Sequence, residues 1–78
     1  MKRNMKATVN HQEIKGFFGQ DIGYGTRWLF VESPKTRKSY SVAKVASDGT
    51  IVEIDAAPAL SGIDNRQLAE ALITAAQE

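Results

Sequence analysis

A chain of 78 residues has room for a single hydrophobic core, and with no cysteine it excludes disulfide staples, thiolate metal sites and cysteine nucleophiles. The net charge of +1 is a cancellation, because residues 1–44 carry nine Lys and Arg against three acids and residues 45–78 carry one Arg against six. Such asymmetry points to a basic surface for nucleic acid or for an acidic protein partner, unless the two halves interleave on folding.

The start Met1-Lys2-Arg3-Asn4-Met5-Lys6 is basic, but Ala7-Thr8-Val9-Asn10-His11-Gln12 follows where a signal peptide would be apolar. No run approaches the length of a membrane span. A cytoplasmic chain is therefore expected: one domain over 1–78, with residues 1–5 a loose basic N-terminus, no membrane contact and no cofactor or metal.

Lys6 to Ile14 reads as a hairpin with Asn10-His11 at its tip, since both residues tolerate positive φ better than most. A competing reading makes Asn10 a helix cap with Glu13 as its partner, Ile14, Phe17 and Phe18 as the buried stripe and Gly19 as the stop. The strand reading is preferred. Gly19 to Gly25 is a loop on either reading.

Thr26 to Ser33 and Ser39 to Ala46 flank Pro34-Lys35-Thr36-Arg37-Lys38, a second hairpin with three cations at its tip. In its first strand Trp28 and Phe30 point one way and Leu29 and Val31 the other. Such a strand is covered on both sides, so it is expected to be central, or to be covered by something outside the chain.

Asp48-Gly49 between β-branched residues marks a third hairpin. Pairing Ser47 with Thr50 sets Ala46 opposite Ile51, Val45 opposite Val52, Lys44 opposite Glu53 and Ala43 opposite Ile54. Ser41, Ala43, Val45, Val52 and Ile54 then face the core, and Tyr40, Val42, Lys44, Ile51 and Glu53 lie on the wetter face. Residues 65–77 repeat Leu68, Leu72 and Ala75 or Ala76 at helical spacing, widened by Ala69 and Ile73, so a C-terminal amphipathic helix is expected. Ser61 with Asp64, or Asp64 with Gln67, supplies a capping pair. The fold class that results is α+β: an antiparallel sheet of four to five strands with one helix on one face.

No catalytic constellation emerges. His11 is alone at a hairpin tip, and Asp48, Glu53, Asp55 and Asp64 each have a structural role as turn residue, ion-pair member, strand end and helix cap. Gly19, Gly23 and Gly25 match neither the dinucleotide fingerprint nor the P-loop, and the plainer reading is turn geometry. A small enzyme, which would need Asp21 or His11 beside this glycine loop, is the least favoured function.

Five of six aromatics, Phe17, Phe18, Tyr24, Trp28 and Phe30, fall within fourteen residues. The plainer reading makes them the bulky half of the core opposite an alanine-rich helix. The functional one is an aromatic surface beside Arg27, Lys35, Arg37, Lys38 and Lys44, with Trp28 or Tyr40 for stacking. A sheet of four or five strands is roughly 15–19 Å across, whereas a helix is about 10–12 Å wide. One helix leaves sheet surface uncovered.

The leading expectation is thus a non-enzymatic binding module using a sheet face and a basic hairpin, with nucleic acid or an acidic protein as partner. The alternative is a protein-blocking or self-associating accessory protein, a homodimer in one version, with Leu29, Val31, Val42 and Ile51 as its contact. Its size and charge pattern resemble those of small phage or mobile-element proteins that block a host protein.

Overall fold

The computed structural model describes all of residues 1–78: strands β1 (Asn4–Val9), β2 (Gln12–Asp21), β3 (Arg27–Glu32), β4 (Ser39–Val45) and β5 (Ile51–Ile54), then helix α1 (Asn65–Gln77). Each strand pairs antiparallel with its chain neighbour, giving one five-stranded sheet in the order β1-β2-β3-β4-β5 with α1 packed against one side. The fold is α+β, as the hydrophobic periods require, and β3 is central.

Local turn chemistry explains the meander. Asn10 and His11 both adopt positive φ, at 50° and 65°, which a two-residue hairpin needs if its twist is to match the strands. Val9 then pairs with Gln12 and the hairpin zips to Asn4 opposite Phe17. The helical alternative for residues 10–18 is excluded by this ladder. The N-terminus is not a loose tail either: β1 begins at Asn4, Met5 is buried, and the Lys2 amide donates to the Ala76 carbonyl at 2.8 Å. That bond satisfies one of the carbonyls left over at the end of α1.

The face beneath α1 is built by strand alternation. Met5 and Val9, Ile14 and Phe18, Leu29 and Val31, and Ala43 and Val45 all point to it, where they meet Leu68, Ala69, Leu72, Ile73 and Ala76 of the helix. Asp64 occupies the N-cap position of α1 but makes no side-chain capping bond, so neither capping pair forms. The entry to the helix is held instead by Asn65, whose Nδ2 donates to the carbonyls of Asp55 and Ala57, both at 2.9 Å, and whose Oδ1 accepts from the Ala59 amide at 3.0 Å.

Two register shifts correct the strand faces read from sequence. Leu29 pairs with Ala43 while Phe30 pairs with Ser41, so Val42 is an extra residue. In such a bulge the two adjacent residues turn toward the same side, and Val42 and Ala43 are both fully buried. At the third hairpin Lys44 pairs with Glu53 and Ala43 with Ile54 as expected, but Val45 pairs with Ile51 rather than Val52. The turn closes with the Ala46 amide on the Thr50 carbonyl, and Val52 is extruded to 56% exposure on the edge strand. Ser41 likewise leaves the core side and lies opposite Phe30.

Candidate functional site

The side of the sheet away from α1 is left open. Its residues follow from the register as rows across the strands: Asn4, Phe17, Phe30 and Ser41 in one row, and Lys6, Lys15, Glu32 and Ser39 in the next. Toward the opposite end of the strands, Trp28, Lys44 and Glu53 align across β3, β4 and β5. The N-terminal third adds strands in the plane of the sheet and does not fold over it.

At the centre of this face the Phe17 and Phe30 rings stack with centroids 5.2 Å apart and planes 16° from parallel. Trp28 lies beside them with the Lys44 ammonium 5.3 Å from its ring centroid, a separation at which the cation is attracted to the π face. Gly19 is the floor beneath this group: a β-carbon there would stand 3.0 Å from Phe30 Cε2. The absence of a side chain lets the phenylalanine lie flat over the backbone. Gly19 is therefore not a loop residue, because β2 continues to Asp21. All three aromatic residues are half-exposed, a state that a ring in the core would not show.

The rings are thus not the bulky half of the core, with one exception. Phe18, of opposite pleat to Phe17, is 1% exposed, whereas Tyr24 stands wholly in solvent in the β2–β3 loop. Sequence reading had all five aromatics but did not single out Phe17 and Phe30. The signal available was the alternation Lys15-Gly16-Phe17-Phe18-Gly19, which sends adjacent phenylalanines to opposite faces once the segment is a strand.

The other site residues divide between the two sides. Trp28 and Lys44 share the open face, and Lys35, Arg37 and Lys38 form the exposed β3–β4 turn beyond Glu32. Arg37 reaches Glu32 at 3.8 Å and Lys44 reaches Glu53 at 3.7 Å. Both pairs involve exposed partners and hold little energy, so the cations remain open to an external anion. Arg27 does not join them: its guanidinium lies 5.1 Å from the centre of the Phe18 ring, on the helix side. Tyr40 pairs with Val31 and so also belongs to the helix side, at 39% exposure.

Leu29, Val31 and Val42 are fully buried and Ile51 packs against the same core. These four residues hold the helix and are not a free contact surface, because the apolar side of β3 that stays open is the one bearing Trp28 and Phe30.

Elsewhere the polar groups serve the fold. The Asp48 carboxylate accepts from the Thr50 amide at 2.9 Å, and hydrogen bonds from Thr50 hold its pKa below the usual carboxylate range. Ser41 Oγ donates to Asp55 at 2.5 Å and the Ala57 amide donates to the same carboxylate at 3.0 Å, lowering its pKa in the same way. His11 is exposed at its tip, and no three acidic, histidine or cysteine side chains come together as metal ligands would. No helix is long and apolar enough to cross a membrane. Comparison with protein-family models, with curated proteins and with solved structures finds no match to this chain.

Proposed function

We propose that the chain is a non-enzymatic, cytoplasmic binding module that takes single-stranded nucleic acid on the open face of its sheet. The observation that carries this reading is the stacked Phe17–Phe30 pair beside Trp28, half-exposed on the side that α1 does not cover. Every base has a π face, so aromatic side chains on a sheet stack bases with little regard to sequence. Around the rings, Lys6, Lys15 and Lys44 supply cations within the face, and Lys35, Arg37 and Lys38 extend the positive charge past its end. Four acids share this side, Glu13, Glu32, Glu53 and the Asp55 carboxylate held by Ser41, so the net positive charge of the surface comes from the turn. An acidic protein would need the cations alone; the half-buried rings favour bases.

The test is titration of the chain with single-stranded DNA and RNA oligonucleotides at low salt, followed by anisotropy and by Trp28 emission. Quenching of the single tryptophan, and an affinity that falls as salt rises with a log–log slope of about −0.7 per phosphate neutralised, are the expected results. Absence of binding to any oligonucleotide at low salt would overturn the reading. So would equal binding to duplex and single strand that is unaffected by Phe17→Ala, because phosphate contacts would then suffice. A dimer in solution whose formation is abolished by Phe17→Ala would replace the proposal by self-association through this face.

A further inference from the structure

At the end of the sheet where β2 gives way to β3, a recess of about 350 Å³ is lined by polar and glycine residues only, among them Arg3, Gly19, Asp21, Gly25, Arg27 and Ser47. From its lining we infer that this recess is a binding site for a phosphate group; it borders the aromatic face at Gly19, but the inference does not depend on the reading given to that face.

Phe18 touches both arginines, at the backbone of Arg3 and at the guanidinium of Arg27. The Phe18 amide donates to the Arg3 carbonyl at 2.9 Å, fixing the backbone of Arg3 just ahead of β1. The Phe18 ring, pointing the other way into the core, lies 5.1 Å from the Arg27 guanidinium carbon. A guanidinium held against a ring face keeps its N–H groups free at the edges, and its planar fork matches phosphate oxygens two at a time. The chain has two ion pairs, Arg37–Glu32 and Lys44–Glu53, so neither Arg3 nor Arg27 is neutralised.

Asp21 is the one acid in the recess, and it is turned to another purpose: its Oδ1 accepts from the Gly23 amide at 2.7 Å. That bond shapes the β2–β3 loop, which closes with the Ile22 amide on the Thr26 carbonyl at 2.9 Å. Asp21 keeps its charge opposite Arg27, so with Arg3 and Arg27 the recess carries a net +1. The loop also keeps the recess open, because Gly25 sits at φ 75° with its missing β-carbon 3.3 Å from Ser47 Cβ and 3.4 Å from its hydroxyl. A side chain at 25 would fill the space beside Ser47, whose Oγ is a ready donor to an anion.

The experiment is an amide and arginine-side-chain NMR titration of the full chain with inorganic phosphate. Saturable shifts confined to Arg3, Gly19–Arg27 and Ser47 are expected, and Arg3→Gln should weaken the binding by about tenfold through loss of one charge-assisted contact. Arg3→Gln is the primary variant because its backbone, not its side chain, joins the sheet; Arg27→Gln also removes the contact with Phe18. A second arm compares oligonucleotides of one sequence with and without a terminal phosphate. Shifts at the recess only when the terminal phosphate is present assign the site to the end of a nucleic-acid strand, whereas saturation by inorganic phosphate with no effect of the terminal group assigns it to free phosphate. Shifts spread over Lys35–Lys38 instead, or binding unchanged by Arg3→Gln, would overturn the site even if the aromatic face binds oligonucleotides.

Discussion

Gly16 and Leu72 meet so closely that a β-carbon on the glycine would stand 2.8 Å from Leu72 Cδ1, and 3.1 Å from the carbonyl oxygen of Phe30. The helix is seated on bare backbone at the middle of β2. Gly16→Ala is therefore expected to destabilise the chain by about 1–3 kcal/mol through overpacking, read as a lowered midpoint in chemical denaturation. In the double variant with Leu72→Ala the two costs should fall short of additive by about 0.5–3 kcal/mol. Strict additivity would mean that the helix does not press on this glycine.

Asn65 is the one buried polar side chain, and all of its hydrogen-bonding groups are spent on the β5–α1 connection. Asn65→Ala should cost about 2–4 kcal/mol, because it strands one amide and two carbonyls of that connection. Asn65→Asp keeps the acceptor for Ala59 but turns a carboxylate oxygen toward two carbonyls, so its loss should be at least as large at neutral pH. A thermal unfolding midpoint within a degree or two of the parent for either variant would show that the connection is not held here.

Stability should decline in acid. Asp48 and Asp55 are both held below the usual carboxylate range by hydrogen bonds, from Thr50 and from Ser41 with Ala57. The unfolded chain thus binds protons at a pH where the folded chain does not. Their contribution is fully present above the ordinary carboxylate range and is lost as pH falls through the lower folded values. Ser41→Ala removes the main cause of the Asp55 shift and should flatten the acid limb of a stability–pH profile. An identical slope for parent and variant would contradict this linkage.

Stability and binding should separate at the open face. Phe17→Ala is expected to cost about 0.5–1.5 kcal/mol of stability for the stacked pair, in addition to the apolar area the half-buried ring covers. It should also weaken oligonucleotide binding by about 1–3 kcal/mol, the range for loss of one stacking platform. Denaturation and anisotropy measured on the same preparation decide the matter, and a binding loss no larger than that of a control on the exposed side of α1, such as Thr74→Ala, would count against stacking.

The basic turn carries both strain and charge. Arg37 sits at φ 63°, in the left-handed region, where a non-glycine residue costs about 1–2 kcal/mol, and its ion pair with Glu32 is an exposed one. Arg37→Gly should therefore be neutral to stabilising, by up to about 1 kcal/mol after the entropy that glycine gains in the unfolded chain. The same substitution should reduce the salt slope of nucleic-acid binding by about 0.7, one phosphate contact for a single strand. A stability loss above about 1 kcal/mol would show that the exposed pair matters more than the strain.

Element identity in this chain is local, and so it is legible in the sequence. Asn10-His11, Pro34 to Lys38 and Asp48-Gly49 each dictate a tight reversal, and the Leu68–Leu72 stripe dictates a helix, because turn conformation and hydrophobic period depend on residues a few positions apart. The pairs Lys44–Glu53 and Ala43–Ile54 followed from the same arithmetic. The uncovered side of the sheet was foreseen too, since a helix is narrower than a sheet.

Which residues occupy that side was decided only in three dimensions. A bulge shifts the pleat by one residue at no visible sequence cost, and it sends Val42 inward with Ala43 and Val52 outward, so a face assigned by alternation inverts beyond it. The extension of β2 through Gly19 places Phe17 and Phe30 in contact across strands. Leu29, Val31 and Val42 become core for the same reason: the helix must cover one apolar side of the central strand, and it is the geometry of packing onto Gly16 that fixes which. The sequence by itself determined that a small sheet would keep an apolar face open beside a basic turn; tertiary packing decided that the face is the one bearing Phe17, Trp28 and Phe30.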